Sequence, residues 1–222
     1  VKAVTDKFAS IDSLYIADGH HRAASAVKVG KKRREQNPGY TGEEEFNFFL
    51  AVLFPTDELE IMDYNRVMKD LNGYSSEEFL AKIGEVMDVE VYGKDAYKPE
   101  KKHTFGMLLD SVWYKLTAKD GTFDANDPVD QLDVSILQNN VISPIFGIDD
   151  PRTDKRIDFI GGIRGLGELE RRVNTDMKIA FSMYPTTLDD LMDIADAGKI
   201  MPPKSTWFEP KLMSGLFIHK LS

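Results

Sequence analysis

The stretch SLYIADGHHRAASAVKVGKKRRE, Ser13 to Glu35, carries the reading on which the fold turns. Leu14 to Ala17 is short and apolar, with a β-branched and an aromatic residue, and Asp18-Gly19 follows at once. This pattern predicts a buried interior strand ending in a tight turn. From His20 to about Gln36 the Ala, Val, Arg and Lys content is helical, and Asn37-Pro38-Gly39 stops it. Lys31, Lys32, Arg33 and Arg34 fall in the last turns, where the helix dipole favours cations.

A strand, a glycine turn and a helix start in succession make an anion site, because the first helical N–H groups lack intrahelical partners and carry the positive end of the dipole. Gly19 lets the backbone approach a phosphate, His20 or His21 donates to its oxygens, and Arg22 donates bidentately. Asp18, at the mouth of the turn, is placed to hold a Mg²⁺ that bridges phosphates or to accept a proton from a substrate hydroxyl. Spacing alone leaves a plainer account open, in which Asp18 caps the helix and Gly19 only turns the chain. The density of ligand-competent groups favours the anion site, since two of the 4 histidines stand side by side here.

Beyond this stretch, Phe46 to Phe54 reads as a buried strand stopped by Pro55, and Leu59 to Met62 as a short extended piece. Ser75 to Met87 has helical spacing of Phe79, Leu80, Ile83, Val86 and Met87 behind a Ser-Ser-Glu-Glu start. Val89 to Tyr92, His103 to Leu109 and Val112 to Thr117 read as strands, the last two joined as a hairpin at Asp110-Ser111. Pro128 to Gln138 reads as a helix, Arg156 to Ile160 as a strand, Leu166 to Val173 as a helix and Lys178 to Met183 as a strand. Leu188 to Ala197 is a helix closed by Gly198, and Thr206 to Phe208 and Leu216 to His219 are extended. Helices and strands alternate throughout, so the fold class is mixed α/β (α+β). The expected organisation is a phosphate-binding region over 1–72 with a mixed α/β region over 73–222 packing on it, or one continuous domain.

The totals bound what such a fold can do. With 222 residues, 42% hydrophobic and 29% charged, the chain can bury a substantial core and has the composition of a globular protein. A net charge of -9 argues against DNA or an anionic membrane as partner for the whole surface. The absence of cysteine removes disulfides and thiolate chemistry and fits a cytoplasmic protein. No apolar run approaches the roughly 20 residues of a membrane span. The chain opens on Val1-Lys2-Ala3 rather than Met, and it reads as a C-terminal fragment of a longer protein. The sequence leaves a homo-oligomer open.

Other polar clusters carry less. Pro202-Pro203-Lys204-Ser205-Thr206-Trp207 sets a cation and two hydroxyls after a stiff diproline, either a second wall for a phosphate-bearing ligand or a rigid turn. Lys204 to Thr206 is expected to share a cleft with Asp18 to Arg22. Gly161 to Gly167, GGIRGLG, lacks the third glycine of the dinucleotide fingerprint and any phosphate-loop lysine, so a glycine turn accounts for it. Asp149, Asp150 and Asp154 lack the spacing of a Ca²⁺ loop, and His103 and His219 read as structural.

YIADGHHRAASA and, at Met201 to Phe217, MPPKSTWFEPKLMSGLF resemble the hallmarks of a prokaryotic family catalogued as domain of unknown function 1015, and LDVSILQN and AFSMYPTT resemble its middle segments. Full-length members carry a further N-terminal region. The strand-DGHHR-helix unit is also similar to the phosphate loop of the ParB and sulfiredoxin superfamily, free serine kinases included. That resemblance implies phosphate contacts at Gly19, His20, His21 and Arg22, with Asp18 as a catalytic or metal-linked acid and the two histidines as catalytic candidates beside it. It implies ATP or ADP with Mg²⁺ as cofactor. The function implied is a phosphotransferase acting on a small hydroxyl compound, or alternatively a ParB-like nucleotide-binding regulatory module without turnover. Sulfiredoxin's catalytic cysteine is absent, so its reductase chemistry does not carry over.

Overall fold

The computed structural model describes residues 1–213 and 215–221. The chain divides into two compact units, Val1–Glu60 with Pro210–Ser222, and Ile61–Glu209.

In the first unit, helix α1 spans Lys2–Phe8 and helix α2 spans His20–Gln36, followed by single 3-10 turns at Glu45–Asn47 and Thr56–Glu58. Gly30 is the buried position of α2, and a Cβ there would lie 3.1 Å from the Phe46 carbonyl, so the first of these turns rests directly on the helix. Arg34 fastens the contact by donating from Nε to Asn47 Oδ1 at 2.7 Å. The buried strand expected at Leu14 to Ala17 is not formed: this segment is irregular, with Leu14 64% and Ile16 48% exposed. Phe46 to Phe54 also departs from expectation, beginning in the 3-10 turn and continuing as irregular chain with Phe49 and Leu50 exposed. An apolar run records side chains suited to a sheet, but a strand exists only where a neighbour pairs with its backbone. No sheet among the described residues includes either segment. Leu216 to His219 is a bend followed by irregular backbone.

The second unit is built on sheets. Its elements are β1 (Glu60–Met62), β2 (Tyr64–Met68), α3 (Ser76–Val86), β3 (Met87–Gly93), β4 (Thr104–Leu109), β5 (Val112–Ala118), α4 (Asp133–Leu137), β6 (Ile157–Gly161), α5 (Leu166–Val173), β7 (Ile179–Met183), α6 (Leu188–Asp196) and β8 (Trp207–Glu209). Six strands form one sheet in the order β3-β5-β4-β7-β2-β6, every neighbouring pair antiparallel, while β1 pairs with β8.

Period-two alternation gives this sheet two apolar faces. Phe105, Met107 and Leu109 of β4 and Ile179, Phe181 and Met183 of β7 join Phe79 and Ile83 of α3 and Leu137 of α4 in the larger core. Leu108, Ala180, Val67 and Trp113 face the other way and pack with Leu169 of α5. The mixed α/β class is as expected.

Local signals explain the element ends. Ser75 and Glu78 form a reciprocal capping box at the start of α3, and Thr187 and Asp190 form another at α6. Gly198 closes α6 at φ +65°. Asp110 and Ser111 both have positive φ, 51° and 62°, as a two-residue hairpin of the right twist requires.

Two expectations change in this unit. The helix read from Pro128 is α-helical only over Asp133–Leu137 and then widens into a π turn over Gln138–Ile142, where Ser143 N–H reaches back to the Gln138 carbonyl at 2.8 Å. Strand β2, between β7 and β6, is absent from the sequence reading because Asn65 and Arg66 interrupt its apolar run, yet both are buried.

Candidate functional site

The turn from Asp18 to Arg22 lies in the first unit. Gly19, at φ +86° and ψ 27°, is the N-cap of α2, and its carbonyl accepts the Ala23 N–H at 2.9 Å. No side chain caps the helix. Asp18 is therefore not the cap; its Oδ1 accepts the N–H of Gly19 at 2.7 Å, and its Oδ2 accepts from Lys211 Nζ at 3.3 Å.

The Arg22 guanidinium folds back over the turn, so a Cβ at Gly19 would lie 3.0 Å from its Nε. Glycine is thus required twice, by the left-handed backbone and by the room Arg22 takes. Partial burial works to raise the Asp18 carboxyl, but the Gly19 hydrogen bond and the charges of Lys211 and Arg22 outweigh it and hold it below its usual range. Asp18, His20, His21 and Arg22 are all exposed. Chemically the turn offers an uncapped helix N-terminus, two cations and one ionised carboxylate.

Lys204, Ser205 and Thr206 belong to the second unit. Lys204 has a positive φ of 60°, its carbonyl accepts from Arg66 Nη2 at 3.0 Å, and its ammonium stands 5.5 Å from the centre of the Tyr64 ring and 5.8 Å from that of Phe159. Ser205 is buried, with its hydroxyl donating to the Pro202 carbonyl at 2.7 Å and its own carbonyl accepting from Thr186 Oγ1 at 3.1 Å. Thr206 is half-buried beside it. The Ser205 hydroxyl thus holds the turn together, and exposed Lys204 is the group of the three most open to a ligand. The glycines at 161 and 162 are explained by packing: a Cβ would overlap the Trp207 ring at the first and the Asp63 carboxylate at the second.

A further polar cluster in this unit is missing from the sequence reading. Asp133 and Asp190 are both buried, and Lys102 Nζ donates to Asp190 Oδ1 at 2.5 Å. The Asp133 Oδ1 accepts the His103 backbone N–H at 2.8 Å, whereas its Oδ2 is buried without a hydrogen-bond partner. Burial pushes the Asp133 carboxyl up to about 7, against the His103 hydrogen bond and with help from the negative charge of Asp190. Buried Arg66 is pushed down to about 10 by desolvation, opposed by Tyr64 and Asp133. The signal that points to this cluster is that Asp133 is the second residue of LDVSILQN while Thr186 and Thr187 end AFSMYPTT, two segments that the phosphate reading leaves unused.

Among the described residues no group of three or more His, Cys, Asp or Glu is arranged to hold a metal, and no helix is long and apolar enough to cross a membrane.

No curated protein matches the chain. Among solved structures, a free serine kinase variant in complex with ADP is similar at 14% identity and a TM-score of 0.49, covering 90% of this chain and 69% of its own. A free serine kinase in complex with AMP is similar at 17% identity and a TM-score of 0.47, covering 90% and 68%. A conserved hypothetical protein from Pyrococcus furiosus is similar at 14% identity and a TM-score of 0.45, covering 90% of this chain and 71% of its own. A family profile described as protein of unknown function (DUF1015) matches residues 1–135, more than half of the chain, and the protein belongs to that family.

Proposed function

We propose that the chain binds a nucleotide, ATP or ADP, through its phosphates at the Gly19–Arg22 turn. The observation that carries this reading is the start of α2: a left-handed glycine as N-cap, no side-chain cap, and the Arg22 guanidinium folded over the same turn. An uncapped helix N-terminus beside an arginine suits a phosphate, and the resemblance of DGHHR to a phosphate loop points the same way. His20 and His21 add donors at the helix start.

Asp18 is the carboxylate of this turn, and its two oxygens already accept from Gly19 and Lys211. A single carboxylate fits a Mg²⁺ that arrives on the nucleotide's own phosphates, with waters completing its shell, better than a resident ion. The metal would supply neutralisation of phosphate charge. In a phosphotransferase acting on a small hydroxyl compound, Asp18 would hold that Mg²⁺ or take the acceptor's proton.

Calorimetric titration with ATP and ADP, with and without Mg²⁺, tests the reading. Arg22→Ala is expected to weaken binding by about 1.5 to 3 kcal/mol, the range of a hydrogen bond to a charged group, with the fold intact. Asp18→Asn is expected to keep most of the affinity and abolish phosphate transfer to hydroxyl compounds. Wild-type protein that binds neither nucleotide at millimolar concentration would rule the site out, and binding without transfer would favour a regulatory module.

A further inference from the structure

The second unit buries two carboxylates in one notch, and the cation that meets them comes from a half-exposed lysine. Asp133 at the start of α4 is 8% exposed and Asp190 on α6 is 6% exposed, while the Lys102 side chain is 41% exposed. With Tyr184 and Thr186 these residues line a notch of about 220 Å³ counted out to its open mouth.

One carboxylate oxygen in this notch lacks a donor. Asp190 is satisfied, since Oδ2 accepts from the Thr187 N–H and hydroxyl at 2.9 and 2.8 Å and Oδ1 accepts from Lys102. Asp133 Oδ2 has no partner. Arg66, the other nearby cation, is turned to backbone, donating to the carbonyls of Tyr64 and Lys204. A buried carboxylate oxygen without a donor is costly, and it is relieved either by a proton or by a cationic donor. Lys102 shows which donor the notch accepts, because its own primary ammonium sits on Asp190.

We infer that this notch binds a small molecule carrying a protonated primary amine, whose ammonium is shared by Asp133 and Asp190 once Lys102 swings outward. The inference is independent of the phosphate turn. An ammonium there favours the ionised form of Asp133, so binding near neutral pH releases the fraction of a proton that the carboxyl still holds. The charged and titratable groups around that carboxyl are Lys102 and His103 ahead of β4, Asp190 of α6 and Arg66 of β2.

Methylammonium is the probe, with tetramethylammonium at equal ionic strength as control, titrated calorimetrically into the full chain near neutral pH in two buffers of different ionisation enthalpy. Saturable binding of methylammonium alone, with proton release, is expected. Asp133→Asn keeps an acceptor for the His103 N–H and should end the proton release and weaken binding by about tenfold or more. Lys102→Ala removes the tethered competitor and should tighten binding. The inference is overturned if wild type shows no saturable methylammonium binding, if the two cations behave alike, or if Asp133→Asn binds as wild type does.

Discussion

Asp133 places a titratable group in a largely buried position, and the stability of the second unit should depend on pH through it. A free Asp titrates near about 3.9, whereas burial pushes this one up to about 7. Below about pH 4 both folded and unfolded chains hold the proton, and the residue makes no difference. As pH rises from about 4 to 7 the unfolded chain releases its proton first, so folding loses stability; above this window the loss is complete at roughly 4 kcal/mol. Asp133→Asn lacks the titration. Urea unfolding of both proteins at mildly acidic and mildly alkaline pH should therefore show the variant gaining on wild type as pH rises, and parallel behaviour would mean that Asp133 is ionised throughout. The segments that hold this residue could be picked out of the sequence but its environment could not, because the burial that perturbs it, and the Asp190 charge that adds to it, come from chain distant in sequence. The Gly19 turn and the helix start at His20 were legible for the opposite reason, since the residues that make them are consecutive.

At the level of single elements, the ends that are chemically specified are the ones that can be tuned. Ser75 accepts from Glu78 N–H at 3.2 Å while Glu78 Oε2 accepts from Ser75 N–H at 2.8 Å, so Ser75→Ala should lower stability by about 1 kcal/mol through loss of a cap. Ser111 sits at φ +62° in the β4–β5 hairpin, and Ser111→Gly should raise stability by up to about 1 kcal/mol by removing left-handed strain. Opposite shifts of the thermal midpoint in these two variants check the pair; a fall in both would show that the hairpin tolerates its serine without strain. Such local chemistry is what made α3, the hairpin, α6 and Gly198 readable in advance. Strand β2 was hidden because its buried Asn65 and Arg66 are satisfied across the fold, Asn65 Oδ1 by Met183 N–H at 2.9 Å and Arg66 by the Lys204 carbonyl. Leu14 to Ala17 and Phe46 to Phe54 failed in the other direction, since apolar composition announces a strand whether or not a partner backbone is present.

Across the whole molecule the two units differ in how much of their backbone and apolar surface is engaged. Ile61–Glu209 has apolar packing on both faces of its six-stranded sheet, whereas Gly30 is the one fully buried residue among the described residues of the first unit. Leu14, Ile16, Phe49, Leu50, Val52 and Leu53 are exposed there, and the described residues give these positions no backbone pairing. Opening of a segment costs free energy in proportion to the contacts and hydrogen bonds it breaks, so protection against amide exchange should follow this division. Amides of β2, β4 and β7, flanked by strands on both sides, are expected to exchange only through global unfolding, those of α2 at intermediate rates, and those of Leu14, Ile16 and Phe49 to Leu53 close to the rate of an unstructured peptide. Exchange measured residue by residue on the chain alone decides the matter. Protection at Phe49 to Leu53 matching that of β4 would show that these residues are paired in solution, and the strand expected from their composition would then be restored. Fast exchange there with slow exchange in β4 would show instead that an apolar sequence can stay extended and unpaired, while buried polar residues such as Asn65 and Arg66 sit in the most protected part of the protein.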